Sequence, residues 1–198
     1  MDLPSGMAHP RILAFAGSAR RDSFNARVLV TACDAAQRAG ATVTRLDLGE
    51  YPMPIMDEDS EAAHGLPEHA LRLKDLFKAH DGLLIACPEY NSAITPLLKN
   101  VIDWVSRPRE GEAPLECFDG KVCGLLAASP GSLGGLRGLV SVRAILSSIR
   151  VLVLPDQAAV PSAHEVLDGT TITDDRVRAM VEKVGERVAT TAARLAAG

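Results

Sequence analysis

Ile12-Leu13-Ala14-Phe15-Ala16-Gly17-Ser18-Ala19-Arg20-Arg21-Asp22-Ser23-Phe24-Asn25 is the stretch that decides the fold. It opens on a continuous apolar run, crosses a short polar loop and leads into an amphipathic segment. That pattern predicts strand, loop and helix. Gly17 reads as the residue of a sharp turn. Ser18 and Ser23 bring hydroxyls, Arg20 a fixed positive charge and Asn25 an amide. Free N–H groups at a helix start attract an anion, and the helix macrodipole adds to the attraction. A guanidinium beside them favours a phosphate, which it grips with two parallel hydrogen bonds. The loop reads either as a phosphate cradle for a cofactor or as a plain βα turn with Ser23 capping the helix.

Working outward, the same unit recurs. Residues 11–16 predict a first strand and 24–39 a helix, with Leu29, Ala32, Cys33 and Ala36 on one face and Gly40 at its end. Residues 42–48 alternate, as at a sheet edge. A helix over 67–80 carries Leu73, Leu76, Phe77 and His80 on one face, with His80 read as a helix-end residue. Strands follow at 82–87, 121–128 and 151–154, and helices at 96–106, 135–149 and 173–196. Thr95 is placed to cap the helix that Pro96 opens. Short buried strands alternating with amphipathic helices predict an α/β fold, a parallel sheet with helices on both faces. Right-handed crossovers leave few topologies, and five strands favour the doubly wound order 2-1-3-4-5 in one domain over 1–198.

Two stretches break the rhythm. Residues 107–120 are polar and turn-rich. Residues 49–66 are punctuated by prolines and glycines and crowd Asp57, Glu58, Asp59 and Glu61 together. Those acids lack calcium-loop spacing and predict a solvated acidic loop. Met53, Ile55 and Met56 predict that this loop also packs, against a partner subunit.

Composition narrows the classes. Of 198 residues, 47% are hydrophobic and only 4% aromatic, which predicts an aliphatic core. A net charge of −4 argues against a nucleic-acid surface. No apolar run has the length of a membrane span. Residues 1–10 lack the build of a signal peptide and read as a disordered lead. Cys33, Cys87, Cys117 and Cys123 form no CxxC pair and have no histidine at metal spacing, so neither disulfides nor a metal site are expected, and the cytoplasm is the expected compartment.

Ligands of open α/β sheets bind beyond the carboxyl ends of the strands at the topological switch point. For this order that places a site on loops 17–25, 88–95 and 129–135. In the second loop Tyr90 offers a flat face and Asn91 both donates and accepts; the plainer reading packs Tyr90 on its own helix. In the third, Gly131, Gly134 and Gly135 either let a ligand approach the backbone or serve helix-start packing. Their spacing is wrong for a dinucleotide fingerprint, Asp156 notwithstanding, and the first loop is not a P-loop.

Gly17-Ser18-x-Arg20-x-x-Ser23-x-Asn25, with Pro88-Glu89-Tyr90-Asn91 and Leu98-Lys99-Asn100-x-x-Asp103-Trp104, resembles the NADPH-dependent FMN reductase family of soluble quinone, azo-dye and chromate reductases. The likeness covers about residues 11–155. It implies a flavodoxin-like fold, bound FMN, NADPH or NADH as co-substrate, a small-molecule electron acceptor, and a homodimer or tetramer. It implies that Ser18, Arg20, Ser23 and Asn25, with Phe24 among them, hold the FMN phosphate. Pro88, Glu89, Tyr90 and Asn91 would line the isoalloxazine, mostly through backbone N–H groups and the Tyr90 ring, and Ser129 and Gly131 match a third flavin loop. It makes Trp104 a packing residue. Arg107 keeps two readings, a contact to a partner subunit or the nicotinamide nucleotide, and a helix C-terminal cation. Ala93-Ile94-Thr95-Pro96 departs from many relatives, so the substrate mouth does not follow from the likeness. No side chain is required as acid, base or nucleophile. An electron carrier of flavodoxin type, and a reductase releasing reduced FMN to a partner monooxygenase, stay open as alternatives.

Overall fold

The computed structural model describes residues 9–197. Five strands, β1 (Arg11–Ala16), β2 (Thr42–Leu46), β3 (Gly82–Ala86), β4 (Val122–Ala128) and β5 (Leu152–Val160), pair in parallel in the order β2-β1-β3-β4-β5. This is the order expected from the sequence. Ile12 lies between Val43 and Gly82, and Ile85 is paired with Leu125.

The alternation of side chains along each strand gives two cores. Ile12, Ala14, Leu84 and Leu126 face α1 (Phe24–Arg38) and the helix at Asp175–Ala196. Leu13, Phe15, Leu83 and Leu125 face the opposite layer. That layer holds α3 (Glu68–Lys78), α4 (Pro96–Ser106) and α5 (Leu136–Ser148). The remaining helices are α2 (Glu58–His64) and the short α6 (Ala163–Val166), which makes the helix at Asp175–Ala196 α7.

The structure departs from the sequence reading in three places. The expected disordered lead lies outside the described residues except for His9 and Pro10. Those two join the fold: Pro10 is buried and its carbonyl accepts from Thr42 N at 2.9 Å. The acidic stretch is the first turn of a helix rather than a loop, with Asp57 accepting from Ser60 N as its cap. Glu58, Asp59 and Glu61 there complement the positive helix start. The last strand runs on through Pro155 to Val160, with a register shift opposite Cys123–Leu125. An edge strand tolerates a residue without an N–H, so the proline does not end it. His80 sits past the end of α3, with Nδ1 against the Leu76 carbonyl and Nε2 against the Thr44 hydroxyl.

A buried charge cluster fixes the turn-rich stretch after α4. Lys74, 2% exposed, contacts Glu112 at 2.8 Å and donates to the Val105 and Arg107 carbonyls at 3.2 and 2.6 Å. It thereby satisfies carbonyls at the negative end of α4. Lys78 meets the other Glu112 oxygen at 2.6 Å. Burial pushes the Glu112 carboxyl up, but Lys74 and Lys78 outweigh it and bring it from 4.5 to about 2. The ionised carboxylate therefore stabilises the fold above about pH 4.5, and that contribution is lost as pH falls toward 2. Glu112→Gln is expected to lower the urea midpoint at neutral pH and to flatten its fall over that acid window. A variant whose midpoint falls as steeply as the parent's contradicts this role.

Candidate functional site: a cleft between three strand-end loops

The first loop is held against the second by its backbone. Gly17 N donates to Ala86 O at 2.9 Å, and the Thr95 hydroxyl donates to Gly17 O at 2.7 Å while accepting from Leu98 N at 3.2 Å. Gly17 has no positive φ. Its glycine serves close approach instead of a sharp turn: a Cβ there would stand 2.9 Å from Leu98 Cβ and 3.3 Å from Pro88 Cδ.

At the start of α1, Ser23 Oγ accepts from Ala26 N at 3.4 Å, so Ser23 is a helix cap. Among the described residues, the Phe24 and Asn25 N–H groups have no protein acceptor, as the first turn of a helix requires. Arg20 donates through Nη2 to Asp22 O at 2.6 Å and lies 5.5 Å from the centre of the Phe24 ring. Arg27 sits at the same distance from that ring. Arg20 is thus steadied beside the helix start with most of its five donors free.

The Asn25 side chain is engaged within the protein. Its amide is buried, with Nδ2 donating to Ala128 O at 2.8 Å and Oδ1 accepting from Ala128 N at 3.0 Å. The side chain braces the first loop to the end of β4. Only its backbone N–H is left for an anion.

Glu89 is also a brace. One carboxylate oxygen accepts from Arg137 Nη2 at 2.8 Å and the other from Gly138 N at 2.9 Å. It caps α5, whose own cap residue, Gly135, has no side chain. Burial pushes the Glu89 carboxyl up, but the Gly138 N–H and Arg137 outweigh it and hold it below the usual carboxylate range. The Glu89 side chain therefore joins the second loop to the third.

Tyr90 does not pack on its own helix. Glu89–Tyr90 pairs with Ala93–Ile94 in a small hairpin whose tip, Asn91 and Ser92, takes φ of 51° and 67°. Asparagine tolerates that left-handed backbone well. Tyr90 is 62% exposed. In the third loop Gly134 and Gly135 are packing glycines: a Cβ would meet the Val160 and Pro161 backbone at the first and Ala127 Cβ at the second. Gly131 has open space, with only Ser129 Oγ at 3.5 Å from such a Cβ.

The three loops enclose a cleft of about 130 Å³. The first lines it with Ser18, Arg20, Ser23, Phe24 and Asn25, the second with Pro88, Glu89 and Tyr90, and the third with Ser129. Asn91 and Gly131 are not part of the lining. Two anchoring residues were not given these roles by the sequence reading. Thr95 appeared only as a helix cap, yet it also fastens Gly17. Asn100 accepts from Met56 N at 2.8 Å and donates to Pro54 O at 2.9 Å, where Trp104 Nε1 also donates at 2.8 Å. The i, i+4 spacing of Asn100 and Trp104 was the available signal. Trp104 is buried, as expected of a packing residue. Arg107 pairs with Glu61 at 2.8 Å across the end of α4, and this pair accounts for it within the chain.

The chain is similar to known proteins. Residues 10–165 match the model of the family described as NADPH-dependent FMN reductase. The NAD(P)H-dependent FMN reductase PA1204 of Pseudomonas aeruginosa is 31% identical over 175 residues, covering 87% of this chain and 90% of that protein. A quinone reductase of Escherichia coli K12 is 31% identical over 147 residues, 73% of each chain. Among solved structures, the flavoenzyme NAD(P)H:(acceptor) oxidoreductase FerB from Paracoccus denitrificans superposes with a TM-score of 0.76 at 23% identity, covering 94% of this chain and 98% of that one.

Proposed function

Since the chain belongs to the NADPH-dependent FMN reductase family, we propose that the three-loop cleft is its FMN site, with the phosphate on the first loop and the ring against the second and third. The chain is an NAD(P)H-dependent oxidoreductase of flavin and quinone reductase type. The acceptor is a small molecule, of quinone, azo or similar chemistry. The observation that carries the site assignment is the pair of unengaged N–H groups at Phe24 and Asn25 beside Arg20, in the cleft that all three loops line.

Bound FMN would supply the redox chemistry, hydride uptake from a nicotinamide and electron transfer to an acceptor. The protein's part is binding and placement. Arg20 would offset the phosphate charge, with the Ser18 hydroxyl and the helix-start N–H groups donating hydrogen bonds to it. Phe24 steadies Arg20. Asn25 and Glu89 keep the loops at fixed spacing, which fixes where two stacked reactants meet. Tyr90, exposed at the rim, offers a flat face to the ring. No side chain in the cleft is assigned as acid, base or nucleophile.

The protein works as a homodimer or tetramer in the cytoplasm. What supports assembly is exposed apolar surface: Ile55 is 85% and Val140 64% exposed, and Tyr90 and Leu136 are exposed as well. Among the described residues no helix is long and apolar enough to cross a membrane, and all four cysteines are free and buried.

Arg20→Ala tests the phosphate assignment. A charge-assisted hydrogen bond contributes about 1.5–3 kcal/mol, so the FMN dissociation constant should rise by roughly ten- to a hundredfold, read by fluorescence quenching of added FMN. An unchanged constant removes Arg20 from the site.

A further inference from the structure

A second cavity, of about 390 Å³, adjoins the flavin cleft on the β2 side. Ser18 and Arg20 line both. Its other walls include Arg21 from the first loop and Arg45 from β2, with Leu29 and Leu46 as apolar surface. Three arginines against Asp47 and Glu50 leave the cavity positive in a chain whose net charge is −4. Asp47 is engaged as a turn cap, accepting from Gly49 N at 2.8 Å. Among the described residues, Arg21 and Arg45 have no acid within ion-pair distance, whereas eight of the sixteen arginines do. Unpaired guanidiniums around a cavity with apolar walls are suited to a phosphorylated aromatic nucleoside.

We infer that this cavity takes the phosphorylated adenosine end of the nicotinamide co-substrate, with Arg21 and Arg45 reading the 2′-phosphate that NADPH has and NADH lacks. The inference rests on the flavin reading above, since it needs the nicotinamide end at the neighbouring cleft. A phosphomonoester carries close to two negative charges at neutral pH, which suits more than one guanidinium. Leu29 and Leu46 offer surface for the adenine. The same chemistry occurs in the adenylate half of FAD, which is continuous with a flavin phosphate, and the experiment separates the two.

The FMN-loaded protein is titrated calorimetrically with adenosine 2′,5′-bisphosphate and with adenosine 5′-monophosphate. Steady-state kcat/KM is measured for NADPH and NADH with a benzoquinone acceptor, in the parent, Arg21→Ala and Arg45→Ala. The bisphosphate is expected to bind at least about tenfold tighter than the monophosphate, and each substitution to lower the NADPH-to-NADH ratio of kcat/KM by about tenfold or more, ~1.4 kcal/mol. An unchanged ratio, or equal losses with both coenzymes, overturns the inference. So does chromatography of the released flavin if it shows FAD in the parent and FMN in the variants. Parent protein that binds FMN and is bleached by NADPH, with an unchanged ratio in the variants, overturns the subsite alone. Parent protein that takes up no flavin overturns the flavin reading and this inference with it.

Discussion

Asn25→Ala is expected to destabilise the protein by roughly 2–4 kcal/mol, because it strips partners from two backbone groups at once. The Ala128 N–H and C=O are held by opposite ends of one buried amide, at 3.0 and 2.8 Å. An unsatisfied buried backbone group costs about 1–3 kcal/mol, and domains of this kind have only about 5–15 kcal/mol in total. Asn25→Asp keeps an acceptor for the N–H but sets a carboxylate oxygen against the Ala128 carbonyl, so it should do no better. The functional consequence follows from position. Ala128 leads directly into the third loop, so losing the brace frees that loop from the first and weakens FMN binding along with the fold. Urea unfolding and FMN titration of both variants check this. A change within about 0.5 kcal/mol, typical of a surface substitution, would show that the brace is not structural.

The second large effect is expected at Gly185 in α7. A glycine in an exposed helix interior gains about 1 kcal/mol on replacement by alanine. Here the sign should reverse. Gly185 is where α7 meets α1, and a methyl group there would run into the Ala32 carbonyl and backbone. Backbone cannot turn aside as a long side chain can, so α1 and α7 must separate. Overpacking of this kind costs about 1–3 kcal/mol and sometimes more, enough to outweigh the propensity gain. Because α1 presents Phe24 and Asn25 to the cleft, its displacement should reduce FMN affinity too. Thermal unfolding of Gly185→Ala decides between the two terms: a lower midpoint is expected, and an equal or higher one means the helices part at no cost.

The strands and their order were legible because short apolar or alternating runs, interleaved with helical stripes, have few other interpretations. The loops that line the cleft were legible because the switch point of that topology selects them. Individual roles within the loops were not. Asn25 acts on a residue 103 positions away and Glu89 on one 49 positions away, and neither partner is visible as a motif. Gly17 looked like a turn residue because glycine's two uses, unusual backbone and close approach, leave the same letter in the sequence. The helix at Glu58–His64 was hidden by the prolines before and after it, while its capping aspartate and early acids were read as solvated charge. Nothing in the sequence around Lys74 on α3 marks it for burial. Only folding shows that it is closed in by Glu112 and the end of α4.

The most direct test is the visible spectrum of the purified protein, incubated with excess FMN, desalted, and then given NADPH with oxygen excluded. The account predicts that flavin absorbance stays with the protein at about one flavin per chain, bleaches on NADPH and returns when a quinone is added. A protein left colourless by the desalting step, or one whose bound flavin ignores NADPH, would contradict it.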